Sequence, residues 1–138
     1  MLRGHMVHQK LLVFLGFFYA MISCSICHGA KIVCDTDTNN LTNQLVILPN
    51  DDVYTFSTID VSPAFRLSGQ YLPSLNKFKV FAYSYSKDRH VLLSAQEFEI
   101  TSQMCSSNFG KNLVYGEPYE RELFFQCRYV CKDPLENK

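Results

Sequence analysis

The chain has 138 residues, 47% of them hydrophobic and 14% aromatic, with 13 basic and 13 acidic side chains and a formal charge of zero. That length suits one small domain with its own core. The charge balance gives no global attraction to phosphate backbones, which excludes nucleic-acid binding by charge alone.

The first segment reads as a leader. Arg3 and Lys10 precede the apolar run of residues 11–22 as a positive n-region; the run is too short to span a bilayer comfortably, and small residues follow it. The pattern predicts a signal peptide over residues 1–29, cleaved after Gly29 or, nearly as well, after Ser25, and one secreted domain over residues 30–138. Cleavage takes away Arg3 and Lys10 and shifts the balance to about −2. It also removes His5, His8 and His28, so His90 is the only histidine left.

Cys24 and Cys27 leave with the leader, and Cys34, Cys105, Cys127 and Cys131 remain. An even number in an oxidising compartment predicts two disulfides, with three possible connectivities. Zinc would need a Cys-x-x-Cys pair or more histidines, so no metal or cofactor is expected. Asn40-Leu41-Thr42 is an N-glycosylation sequon, which marks Asn40 as a candidate site on an exposed loop.

Residues 30–34 read as a short first strand. Residues 35–44 are rich in Asp, Asn and Thr and read as a loop, although Asp37 or Thr38 could cap a helix. Residues 44–49 and 53–61 are β-branched and aromatic and read as strands. Residues 77–86 and 90–101 alternate about the polar break Lys87-Asp88-Arg89, which predicts a hairpin. In its first strand Phe78, Val80 and Ala82 share one face, and Lys79, Phe81, Tyr83 and Tyr85 the other. In its second, strict alternation puts Leu92 with Phe98 and Ile100, and Leu93 with Glu97. Residues 102–118 read as a Ser/Asn/Gly loop before a third strand, residues 120–131. The mature chain shows no long amphipathic helix.

That third strand opens with Glu120-Arg121-Glu122, which is either solvated rim or the edge of an anion-binding cleft. Gln96-Glu97-Phe98-Glu99-Ile100, a polar loop, then Tyr115-Gly116-Glu117-Pro118 and Arg121 before Leu123-Phe124-Phe125 resemble the small fungal guanyl-specific ribonucleases. The resemblance matches Glu97 to their catalytic base and Arg121 to their phosphate-binding arginine. It implies an α+β fold: an antiparallel sheet with one short helix, the helix falling within residues 35–62. RNA cleavage also needs an acid on the leaving oxygen. The family uses histidines for this, and no histidine stands at either matching position here.

That loss is similar to the RNase-like candidate effectors secreted by powdery mildew fungi, with Ile32-Val33-Cys34 where those proteins carry aromatic-x-Cys. The resemblance implies a secreted, catalytically inactive effector that binds host protein or RNA and modulates host immunity. Recognition by a plant immune receptor and delivery into host cells are further implications. It also implies a Cys34–Cys131 bridge, leaving Cys105 with Cys127; Cys34–Cys127 with Cys105–Cys131 stays open. Glu97 and Arg121 are then expected to persist as a cross-strand charge pair, and Lys79, Phe81, Tyr83 and Tyr85 offer a face for stacking RNA bases. Two alternatives come from other classes: an active endoribonuclease with Glu97 as base, and an unrelated secreted all-β sandwich that binds a ligand or protein. The absence of a helix packed across a central sheet would favour the sandwich.

Overall fold

Residues 29–117 and 121–131 are described by the structure, a computed structural model. Nearly all of the predicted signal segment, together with Pro118 and Glu120, lies outside the described residues. Eight strands follow one another: β1 (Lys31–Thr38), β2 (Leu41–Ile47), β3 (Ser57–Ser62), β4 (Phe65–Leu72), β5 (Lys77–Ser86), β6 (Arg89–Glu99), β7 (Asn108–Gly116) and β8 (Arg121–Val130). They form two antiparallel sheets. The terminal sheet, built from both ends of the domain, runs β2-β1-β8-β7, and the central sheet is the meander β3-β4-β5-β6.

The expected helix is absent. Residues 35–62, where the ribonuclease-like reading places it, are strand and turn. The reason is a period of two: Asp35 and Asp37 point to solvent while Thr36 and Thr38 are buried. The threonine hydroxyls donate to the carbonyls of Asn43 (3.2 Å) and Glu122 (2.6 Å), so burial costs them no hydrogen bond. Asn39 and Asn40 then take positive φ (46° and 67°) and close a two-residue hairpin turn. Among the described residues the helical segments are the single 3₁₀ turns Pro73–Leu75 and Ser102–Met104. The α+β ribonuclease-like expectation is therefore overturned, and the molecule is an all-β sandwich.

The predicted hairpin is present, turning at Lys87 and Asp88, which both have positive φ. Its second strand departs from strict alternation. A bulge after Ala82↔Ser94 brings Tyr83 opposite Leu92, so Leu93 packs on the core and Leu92 is exposed. Residues 102–118, read as a loop, contain all of β7, with Gly110 at φ +94° inside a register shift. The last strand pairs with β1 and β7 rather than with β6. That pairing sets Cys127 directly opposite Cys34, and the bridges are Cys34–Cys127 and Cys105–Cys131. The connectivity implied by the resemblance does not form.

One core lies between the sheets. Ile32, Leu45, Ile47, Leu123 and Phe125 from the terminal sheet meet Phe65, Leu67, Phe78, Val80 and Ala82 from the central one. Each fully buried large side chain contributes about 1.5–3 kcal/mol. The packing between the sheets leaves no room for a side chain at two glycines. A Cβ on Gly69 would lie 2.2 Å from Ile47 Cδ1, and one on Gly116 would lie 2.8 Å from the Phe65 ring. Side chains tie the two seams between sheet edges: Asn43 Nδ2 donates to the Val61 carbonyl (3.2 Å), and Gln96 Nε2 to Asn112 Oδ1 (2.6 Å).

Candidate functional site

Glu97 and Arg121 do not meet. Glu97 faces outward from β6 opposite Lys79, and Arg121 opens β8 opposite Gly116 in the other sheet. Gly116 packs beside Ser84, five residues along β5 from Lys79. At roughly 3.4 Å per residue, that is about 17 Å along the strand. The expected charge pair between them is thus not made. Glu97 instead accepts from Lys77 Nζ at 2.5 Å, with Lys79 Nζ at 3.5 Å. The Lys77 hydrogen bond, helped by both lysine charges, holds the Glu97 carboxyl below its ordinary pKa. A base needs the opposite environment.

Lys79, Phe81, Tyr83 and Tyr85 do share the outer face of the central sheet. Phe81 meets Phe56 edge-on with ring centres 5.8 Å apart, and Tyr85 lies beside His90 at 5.1 Å. The cations of this face are already engaged: Lys77 and Lys79 on Glu97, and Arg66 on Asp60 through two nitrogens. The Arg66 hydrogen bond keeps the Asp60 carboxyl low, and Asp60 in turn raises Arg66. A platform for single-stranded RNA needs uncompensated positive charge along its groove, and this face shows none at these residues.

What dominates the same side of the molecule is a segment whose two ends, residues 48–49 and 53–56, the sequence reading takes for strand. Residues 48–56 leave the terminal sheet and fold over β4. Pro49 bridges to Tyr71, and the Asn50 amide donates to the Tyr71 carbonyl at 3.0 Å. Buried Gln70 donates through Nε2 to the carbonyls of Asp52 and Thr55, both at 3.1 Å. The Asn50 side chain accepts the Asp52 amide, and the Asp52 carboxylate accepts the Tyr54 amide and the Thr55 hydroxyl. Those bonds, Thr55 first and Tyr54 second, lower the Asp52 pKa, and Ser74 does the same for Asp51.

The segment is polar inside and apolar outside. Tyr54 is 87% exposed, Leu48 63%, Val53 49% and Phe56 44%, with Leu75 nearby in sequence to the Ser74 anchor at 54%. The signal that points to it is the run Asn50-Asp51-Asp52, the residue types that bend a chain by bonding their own backbone two residues on.

Grooves also mark the described surface in two further places. One, of about 510 Å³, lies on the outer face of the terminal sheet, lined by Asp35, Asp37, Thr42, Gln44, Phe124 and Gln126 among others. The other, of about 470 Å³, is lined by Asp60, Ser62, Pro63, Arg66, Tyr85 and His90. Among the described residues no cluster of three or more His, Cys, Asp or Glu side chains is placed to hold a metal ion. The two disulfides are consistent with an extracellular protein. No protein-family model, curated protein or solved structure matches the chain.

Proposed function

We propose that the protein is a secreted binding module that captures a protein partner on the apolar shelf of residues 48–56 and performs no chemistry of its own. The observation that carries this reading is Tyr54, 87% exposed on a backbone fixed by side-chain hydrogen bonds and flanked by Val53 and Phe56. An aromatic side chain held out on a rigid loop gives large contact area at low entropic cost, which is how binding hot spots are built. Contiguous exposed apolar surface of this kind marks interaction sites. The two disulfides and the predicted leader support secretion. The absence, among the described residues, of a helix packed across a sheet favours the secreted β-sandwich reading over the ribonuclease-like effector.

The test is affinity capture from extracellular fluid with the wild-type chain, Tyr54→Ala and Glu97→Gln, all verified as folded with both disulfides formed. A partner retained by wild type and Glu97→Gln but lost at least about tenfold by Tyr54→Ala is the expected result. A partner held equally by Tyr54→Ala, or RNA cleavage abolished by Glu97→Gln, would overturn the reading.

A further inference from the structure

The groove on the terminal sheet has a composition of its own. Its rows follow from the strand register: Gln44, Asp35 and Gln126 lie side by side across β2, β1 and β8, and Thr42, Asp37 and Phe124 form the next row. Asp35 is committed, accepting from Gln44 Nε2 at 2.7 Å and pairing with Arg128. The side chains of Asp37, Thr42 and Gln126 make no hydrogen bond or ion pair among the described residues, and Gln44 keeps its amide oxygen for a further donor.

These groups narrow the occupant. A divalent cation needs more than Asp37, because Asp35 is already paired. Lys111, opposite Gln126 on the neighbouring β7, puts one cation at the rim, but the groove itself is lined by Asp35 and Asp37 and by no cation, which disfavours phosphate and other anions. An apolar peptide would strand the amides of Gln44 and Gln126 without partners. What remains is a neutral polyhydroxylated ligand. Its hydroxyls can give to Asp37 and Gln44 and exchange bonds with Gln126 and Thr42. Its C–H face meets the electron-rich face of the half-buried Phe124 ring.

Such a ligand has an attachment point beside the groove. Asn40 of the sequon Asn40-Leu41-Thr42 sits exposed in the β1–β2 turn, and Thr42, the residue that completes the sequon, is itself part of the groove. Phe124 is two strands across from Thr42, which puts it roughly 12 Å from Asn40 at about 3.4 Å per residue and 4.8 Å per strand. The first sugars of an attached glycan cover that span.

We propose that this groove seats the chain-proximal sugars of a glycan carried on Asn40. The inference rests on passage through the secretory pathway, as the proposed function does. It also divides the molecule: sugar covers the outer face of the terminal sheet and leaves the residue 48–56 shelf, on the opposite sheet, open to a partner.

The test expresses the full chain with its own leader in a eukaryotic secretory host, as wild type, Asn40→Gln, Phe124→Ala and Asp37→Ala. Expected are a glycan mass on the secreted wild type that Asn40→Gln lacks, and amide shift differences between those two proteins at Gln44, Phe124 and Gln126. Enzymatic release of the glycan from the folded chain should run about three- to tenfold faster in Phe124→Ala and in Asp37→Ala. A secreted, disulfide-bonded chain unmodified at Asn40 overturns the seat and leaves the binding reading intact. A glycan whose shifts stop at residues 38–42, with release unchanged in both variants, overturns it as well. A chain that never leaves the cell overturns the secretion on which both readings rest.

Discussion

Gly116 shows how a single residue changes meaning between sequence and structure. In the family comparison it belongs to a loop preceding a phosphate contact. In the fold it is the last residue of β7, buried where the two sheets approach, with the ring of fully buried Phe65 in the space a side chain would take. Gly116→Ala is expected to cost about 1–3 kcal/mol, because neither Phe65 nor Ser84, whose Cβ would lie 3.1 Å away, has room to retreat. Urea unfolding of the variant measures it, and an unchanged midpoint would mean the sheets are further apart than described. The exposed carboxylates give a second residue-scale expectation. Asp51, Asp52, Asp60 and Glu97 all have pKa values lowered by hydrogen bonds made only in the fold. Their stabilisation is present above the ordinary values of 3.8 and 4.5 and is lost as pH falls through the lower folded values. Urea midpoints should therefore hold steady from pH 7 to pH 5 and decline below about pH 4. Glu97→Gln should flatten that decline, and an unchanged slope would mean that Glu97 contributes nothing through Lys77.

At the scale of elements, the strands that could be read from the sequence are those with one wet face. β5 alternates cleanly because its outer face is exposed enough to carry Lys79, Phe81, Tyr83 and Tyr85. β4 leaves no such pattern for the opposite reason: Arg66 is its one residue that is not buried, and Ser68-Gly69-Gln70 at its centre looks like a turn. Only the fold supplies the segment that covers Gln70 and makes a polar residue acceptable there. β7 was hidden by Gly110 and its bulge, and the inner position of Leu93 by another bulge. A bulge shifts a period-two pattern by one residue and leaves no mark in composition. The candidate site was read from the sequence less well still. Glu97 and Arg121 are neighbours in motif order but stand in different sheets, and the composition around Tyr54 and Phe56 reads as strand although both lie outside one. Gln70 is where this matters most. Gln70→Ala removes the two hydrogen bonds that its amide gives to the residue 48–56 segment and leaves the Asp52 and Thr55 carbonyls to find water, at a cost of about 1–3 kcal/mol. Amide exchange at Tyr54 and Thr55 should accelerate more than exchange in β5. Equal acceleration across both would show that the shelf is not a separately pinned unit.

For the whole molecule the question is what holds two sheets of opposite origin together. The terminal sheet is made from chain ends that meet only late, since β1 must wait for β8, and the Cys34–Cys127 bridge joins these strands across 93 residues of sequence. In the chain-entropy account, closing a loop of that size stabilises the fold by about 4–5 kcal/mol, whereas the 26-residue Cys105–Cys131 loop gives about 3–4. The two bridges also do different jobs. Cys34 and Cys127 are buried in the core between directly paired residues, so their loss opens the sandwich. Cys105–Cys131 ties the segment after β6 to the end of β8. There the Ser106 amide donates to the Tyr129 carbonyl (2.8 Å) and the Tyr129 amide to Ser107 (3.0 Å), so the segment keeps its place without the sulfur link. The expected outcome is an order of effects. Cys105→Ala/Cys131→Ala stays folded with a lowered midpoint, and Cys34→Ala/Cys127→Ala loses cooperative unfolding at 37 °C. Because the bridge implied by the ribonuclease resemblance would pair Cys34 with Cys131, the same variants separate the two arrangements. With Cys34–Cys127 in place, each double substitution removes one intact bridge and leaves no free thiol. With the other pairing, each double substitution would leave two reactive thiols, which a thiol reagent counts directly.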